Sequence, residues 1–201
     1  GAAPINWAVI NGEAQTGVTT FRIQHQIDTG DVLLRHETPI GANETAGDVH
    51  DRLMLIGAHL MVRTVQGLLA GTIVANPQVM SSAAPPPTAP KLTTANMQLH
   101  FNRSAREVHD HVRGLSPYPG AWCTWTDTTG QVQHLKVLRT ATTDRPAEGE
   151  VGTLRATDQH LFVRCKDQLL EILELQVEGR KRMMAAEFLR GTRQIEGGEL
   201  S

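Results

Sequence analysis

Aromatic side chains are scarce in this sequence. They make up 4% of 201 residues, with a single Tyr, so the interior has to be built from aliphatic packing. Cysteine is almost as rare. Cys123 and Cys165 lie far apart in apolar, strand-like runs, and the reading that fits is two reduced, buried thiols rather than a disulfide. No apolar run approaches the roughly 20 residues that span a bilayer. No basic-then-apolar leader opens the chain, and a cytoplasmic protein is expected. Neither standard glycine-rich phosphate loop is present, which leaves nucleotide binding by that route unsupported. There is no Gly-x-Ser-x-Gly elbow and no persuasive Ser/His/Asp set. The nine histidines invite a metal reading, but only His109 and His111 are close-spaced. Two residues apart on a helix point to different sides, so no metal site is expected. An initiator Met is also missing: Gly1-Ala2-Ala3-Pro4-Ile5-Asn6-Trp7 already reads as a helix entrance, as in a piece of a longer chain.

What is present is an ordinary globular balance, 40% hydrophobic and 20% charged. The net charge of −2 is unevenly spread. Of the 19 basic residues only Arg22, Arg35, Arg52 and Arg63 fall in the first 80 positions, so a polyanion would meet the second half. Four prolines among residues 85–90 exclude helix and mark an extended spacer, placing a boundary there. Ahead of it, Pro4 starts a short helix stopped by Asn11-Gly12. A Thr16-Gly17 turn, a strand over 18–23 and a second strand over 32–39 follow. Thr45 and Asp48 cap a long helix whose inner face is Val49, Leu53, Ile56, Leu60, Val65 and Leu68. Beyond the spacer, Ser104-Ala105-Arg106-Glu107 is a capping box. Ser116-Pro117-Tyr118-Pro119-Gly120 is a rigid bend. Short strands over 121–126, 132–140, 153–155, 160–165 and 169–177 then suggest a small barrel, with a last helix over 185–190. Met184 offers that helix no capping side chain.

Chemistry concentrates at two turns. Gln26-Ile27-Asp28-Thr29-Gly30-Asp31 sets two acids and a glycine between apolar strands. A carboxylate there could orient a histidine and keep it protonated, a common device for stabilising an oxyanion in acyl transfer. It could equally bond only its own backbone, as Asp-x-Gly turns do. The second turn is Arg180-Lys181-Arg182, with Lys91, Arg190 and Arg193 as neighbours. These suit phosphate contacts that fix position without reading sequence, or they form a solvated turn. Trp7, Trp122 and Trp125 read as core rather than as stacking platforms.

An ordered series of motifs goes further. Gly-Ala-Ala-Pro-Ile at 1–5, Asn-Gly-Glu at 11–13, Thr-Gly-Val-Thr at 16–19 and Asp-Thr-Gly-Asp at 28–31 come first. The helix from Asp48-Val49-His50-Asp51, Lys91 after the prolines, Ser-Pro-Tyr-Pro at 116–119 and Gly-Arg-Lys-Arg-Met at 179–183 complete it. Over nearly its whole length the chain resembles the methionyl-tRNA formyltransferases. The resemblance implies an α/β part followed by a β part. Residues 1–80 would be the C-terminal part of a Rossmann-like formyltransferase domain, 81–92 a Pro-rich linker, and 93–201 an OB-like barrel that helps hold tRNA. It implies transfer of a formyl group from 10-formyltetrahydrofolate to the α-amino group of methionyl initiator tRNA, by a monomer without metal. Of the family's catalytic Asn, His and Asp, only the Asp has a match, Asp28. The other two belong to a segment that would precede Gly1, so this piece is expected to be inactive alone. Gln24, His25, Gln26, Ile27 and Asp28 match a loop that borders the folate pterin, with Gln26 standing where many relatives carry Gly. Lys91, Arg180, Lys181, Arg182, Arg190 and Arg193 would contact the tRNA. Two other readings compete. A sugar-nucleotide N-formyltransferase would share the first half but not the basic turn. A non-catalytic RNA-binding module would bind through residues 96–201, with Asp28 irrelevant.

Overall fold

The computed structural model describes residues 2–25, 30–78, 87–192 and 195–201. Helix α1 (Pro4–Ile10) has Pro in its first turn and buries Val9; it ends at Gly12, whose φ of +68° favours glycine. Strand β1 (Gln15–Phe21) pairs antiparallel with β2 (Val32–Pro39). The turn expected at Thr16-Gly17 is therefore strand, and β1 stops two residues earlier than the spacing predicts. Gly17 sits in the ladder opposite Glu37, where an added Cβ would come within 2.5 Å of the His36 carbonyl oxygen. A glycine in a strand here serves close backbone approach, not a turn.

Helix α2 (Ala46–Leu69) carries the capping box read from the sequence: the Thr45 hydroxyl accepts from the Asp48 amide at 3.1 Å, and the Asp48 carboxylate accepts from the Thr45 amide at 2.9 Å. Its buried face is Ala46, Val49, Leu53, Leu60 and Thr64. Thr64 reaches β1 through a 2.9 Å hydroxyl–hydroxyl bond to Thr20. Val65 and Leu68, assigned by periodicity to that face, stay 48% and 44% exposed. The reason is geometric: a two-stranded layer is too narrow to cover a helix of 24 residues, about 36 Å at 1.5 Å per residue.

The rest of the chain folds around one larger core. Helices α3 (Thr94–Met97) and α4 (Ala105–Gly114) precede β3 (Ala121–Thr126), β4 (Val132–Pro146), β5 (Leu154–Ala156), β6 (Leu161–Arg164), β7 (Gln168–Val177) and β8 (Met183–Met184). Helix α5 (Ala185–Gly191) and β9 (Glu199–Leu200) end the chain. The strands lie in the order β5-β6-β7-β4-β3-β9, with β8 also on β7. A bridge from Thr153 to Glu199 brings the two ends of the order together, so the sheet curls into a barrel. Helix α4 has the predicted Ser104–Glu107 capping box, whereas α5 begins at Met184 with no side-chain cap. Strand β4 outruns its expected end by six residues, and α3, β8 and β9, each four residues or fewer, are too short to carry a periodic signal.

Alternation along β3 separates the tryptophans. Ala121, Cys123 and Trp125 point inward, and Trp125 meets Phe188 edge-on at 5.2 Å between ring centroids. Trp122 points outward and is only half-buried, which corrects its assignment to the core. Both thiols are free and buried; desolvation pushes Cys123 far up and Cys165 to about 12, so neither is a nucleophile at neutral pH.

Helix α4 also joins the two parts, which its capping box did not foretell. Arg113, 4% exposed, donates to the Asp110 carboxylate at 2.6 Å and to the carbonyls of Glu44 (3.0 Å) and Gly41 (3.3 Å). Asn6 donates to the Gly114 carbonyl at 2.8 Å, and the Gly47 amide donates to the Ser116 carbonyl at 3.1 Å. Gly114 has no room for a side chain, because Ile10 and the backbone of α1 lie against it. The stretch after the prolines is tied down as well: Trp7 Nε1 donates to the Pro90 carbonyl at 2.8 Å. Residues 81–86 of the proline spacer, with residues 79 and 80 ahead of it, lie outside the described residues.

Candidate functional site

The first turn singled out above falls in the sequence between β1 and β2, and its residues 26–29 lie outside the described residues. Its feet are fixed. The Arg22 amide donates to the Asp31 carbonyl at 2.9 Å, and Val32 and Asn76 exchange two backbone bonds of 2.8 and 2.9 Å. The Gly30 carbonyl accepts from Gln78 Nε2 at 2.7 Å. Gly30 is buried against Arg22, and any side chain there would overlap the Arg22 carbonyl. Gln24 and His25 are exposed on the rising side. Gln26, Ile27 and Asp28 lie outside the described residues. An apolar hollow of about 400 Å³ lies between the hairpin strands and α2, lined by Phe21, Leu33, Met61, Val65 and Leu68 among others.

The second turn closes β7 onto β8. Gly179, at φ +72°, makes the bend; the Arg180 amide donates to the Val177 carbonyl at 3.0 Å, and the Arg180 carbonyl accepts from Gln176 Nε2 at 3.0 Å. Arg180 and Lys181 are exposed. Arg182 differs. Its guanidinium forks onto the Glu174 carboxylate, with Nη2–Oε2 at 2.7 Å, and this pairing holds the Glu174 carboxyl below its ordinary range. It anchors the turn to β7. Arg182 also lines, with Arg139, a polar hollow of about 380 Å³ where Asp48 and Asp51 of α2 face Ser116 and Pro117. Arg190 is exposed at the end of α5, Lys91 is exposed just ahead of α3, and Arg193 lies outside the described residues.

Residues 1–65 match the family model described as formyl transferase, and residues 91–193 match the model described as formyl transferase, C-terminal domain. The chain belongs to the formyl transferase family. It is 37% identical to the methionyl-tRNA formyltransferase of Phocaeicola vulgatus, over 100% of this chain and 63% of that one. It is 41% identical to the methionyl-tRNA formyltransferase of Parabacteroides distasonis, over 97% of this chain and 61% of that one. The chain thus spans about three fifths of the length of these relatives. Among solved structures it shares its fold with HypX from Aquifex aeolicus in complex with tetrahydrofolic acid, at a TM-score of 0.64 and 17% identity, over 93% of this chain and 32% of that one.

In this chain the two close-spaced histidines are buried and hydrogen-bonded in the fold. His109 Nε2 faces the Ala42 carbonyl at 3.2 Å and so carries the proton, while Nδ1 accepts from the Thr140 hydroxyl at 2.9 Å. His111 Nε2 donates to the Asn96 carbonyl at 2.9 Å. Burial lowers the pKa of both and favours the neutral rings. No helix among the described residues is long and apolar enough to cross a membrane.

Proposed function

We propose that this formyl transferase takes part in moving a formyl group from 10-formyltetrahydrofolate to the α-amino group of methionyl initiator tRNA. The observation that carries the reading is that both formyl transferase models fall, in order, on one chain, with the Asp28 hairpin inside the first and the basic turn inside the second. Residues 1–80 are then the C-terminal part of a Rossmann-like catalytic domain, 81–92 a linker, and 93–201 an OB-like tRNA-binding domain. The folate donor is supported by the match to the formyl transferase model and by a fold shared with HypX, which is seen in complex with tetrahydrofolic acid.

In this reading the methionine amine attacks the formyl carbon and loses a proton, while the folate nitrogen leaves and gains one. Charge builds on the formyl oxygen, where a protonated His and an Asn stabilise it. Asp28 does not touch that oxygen. It holds the His in its charged form and orientation. The His and Asn come from the segment that the family resemblance places ahead of Gly1. Residues Gln24 to Asp28 border the pterin ring. The fixed feet of the hairpin support this role, because a carboxylate must be held to a fraction of an ångström to orient a partner. Lys91, Arg180, Lys181, Arg190 and Arg193 neutralise tRNA phosphates, and Arg182 acts mainly by fixing the turn.

A sugar-nucleotide acceptor is the second reading, since the first half would serve it equally. The exposed pair Arg180 and Lys181 favours the polyanion. The deciding experiment is to join this chain to the upstream segment of its own gene and assay labelled formyl transfer to methionyl-tRNA and to an amino-sugar nucleotide. Transfer to methionyl-tRNA alone is expected; transfer only to the sugar nucleotide would overturn the assignment.

A further inference from the structure

A cleft of about 350 Å³ opens on the outer face of the barrel where β3, β4 and β7 run side by side. That volume is at the lower end of the roughly 300–1,000 Å³ typical of small-ligand sites. Its walls are aromatic and its rim is charged. The rings of Trp122 and His134 meet at 57° with centroids 5.5 Å apart. The indole is held in place, because Trp122 Nε1 donates to the Thr94 carbonyl at 2.9 Å. Met97, Leu135 and Val177 complete the apolar lining.

The rim joins the cleft to the basic turn. Gln176 and Glu178 line the cleft, and Arg180 and Lys181 follow two and three residues beyond Glu178. Lys136, also on the rim, is exposed and donates one of its three N–H groups to the Pro119 carbonyl at 3.0 Å. Against these three cations stands the single carboxylate of Glu178. That carboxylate is an acceptor only, and Gln176 commits an amide N–H to the Arg180 carbonyl and offers its oxygen. Two acceptors beside aromatic walls, with Lys136 on the rim and the exposed Arg180 and Lys181 following along the chain, suit a planar ring with an exocyclic amino group and a phosphate on its tether.

We propose that this cleft takes one unpaired, amino-bearing nucleobase of an RNA, stacked on Trp122 with the tilted His134 ring against its edge, and with its flanking phosphates on Lys136, Arg180 and Lys181. The proposal deepens the reading that this chain handles tRNA by naming where a single-stranded nucleotide is held. Sequence-tolerant stacking beside a cationic track is the general way proteins grip single strands. Glu178 adds a preference for cytosine and adenine over uracil, because a carboxylate accepts from an exocyclic amine and repels a carbonyl edge.

The test is fluorescence anisotropy of the whole 201-residue chain with labelled eight-nucleotide oligo-C, oligo-A and oligo-U RNA, and with initiator tRNA, over a range of salt. Oligo-C and oligo-A should bind more tightly than oligo-U. Trp122→Leu should weaken oligo-C binding roughly tenfold, and exposed His134→Ala several-fold, with the salt slope unchanged. Lys136→Gln and Arg180→Gln should each flatten that slope by about 0.7. Glu178→Gln should erase the preference over oligo-U. If Trp122→Leu and His134→Ala both bind like wild type while tRNA still binds, the cleft is not the site, and the tRNA reading survives. If the chain binds neither oligonucleotide nor tRNA at moderate salt, the cleft fails together with RNA binding. Cleft binding that persists while the complete enzyme formylates only sugars would keep the site and remove the tRNA reading.

Discussion

The two parts of this chain solve the problem of burial differently. The part after the prolines closes on itself: its core runs from Leu99 to Leu200, drawing on α4, α5 and the barrel strands, and it exposes few large apolar side chains, namely Tyr118, Val132 and Met184. Among the described residues, the part before the prolines gathers Val9, Ile40, Ala46, Val49 and Leu53 into a small core cluster with Ile5, Ala8 and Val18 packed against it, and buries Leu33 and Leu60 outside it. It leaves Ile23, Met54, Leu55, Met61, Val62 and Leu69 at least half exposed. A helix apolar on several sides belongs between two layers, and here it has one. The barrel is thus a self-sufficient platform. The hairpin and α2 are an open layer, and the proposed chemistry at the hairpin tip likewise needs partners from outside it.

What holds the open layer in place is the polar junction on α4, and removing it should show the largest stability change. Arg113→Ala leaves buried Asp110 with Arg106 as its remaining partner and takes a donor from the carbonyls of Gly41 and Glu44. A loss of about 3–5 kcal/mol is expected, with the two parts melting separately in calorimetry. A single unshifted transition would mean the junction does not couple them. The next contrast is in packing. Leu170→Ala, in the barrel core, should cost about 2–5 kcal/mol in denaturant unfolding. Leu55→Ser, 62% exposed on α2, should change stability by no more than about 0.5 kcal/mol. A comparable loss at both positions would erase the distinction between closed and open parts.

A smaller effect is set by pH. His109 and His111 have folded pKa values below the ordinary 6.5, so the unfolded chain binds protons more readily. Their contribution is complete above about 6.5 and is lost as pH falls through the lower folded values. The melting temperature should drop by a few degrees between pH 7 and pH 5, and His109→Gln should make that drop shallower. An unchanged slope would show that the junction histidine is not strained by charge.

Much of this architecture was legible in residues with local signatures. The capping boxes at Thr45–Asp48 and Ser104–Glu107 declare their helices because a side chain and an amide three residues on must meet. Strand β3 was readable to the residue, since alternation and its flanking turns agree. Gly17 suggests a turn in the sequence because a glycine needed for strand approach looks like a glycine needed for a turn. Trp122 and Trp125 were grouped although three positions in a strand send side chains to opposite faces, a signal that period-two alternation carries. The junction was not legible at all. Arg113, Gly41 and Asn6 are brought together by the tertiary fold, and no local pattern marks an arginine that will be buried.

The proposed division of labour between the two parts can be measured in one experiment on this chain joined to its upstream segment: kcat for the proposed methionyl-tRNA formylation alongside the dissociation constant for tRNA, in Asp28→Asn and in Arg180→Ala with Lys181→Ala. The open layer should carry chemistry and the barrel should carry binding. Asp28→Asn is expected to lower kcat by about 10²–10⁴-fold with tRNA binding unchanged, and the double variant should weaken tRNA binding and flatten its salt dependence with kcat retained. A kcat for Asp28→Asn near that of wild type would contradict the assignment of the hairpin tip to formyl transfer.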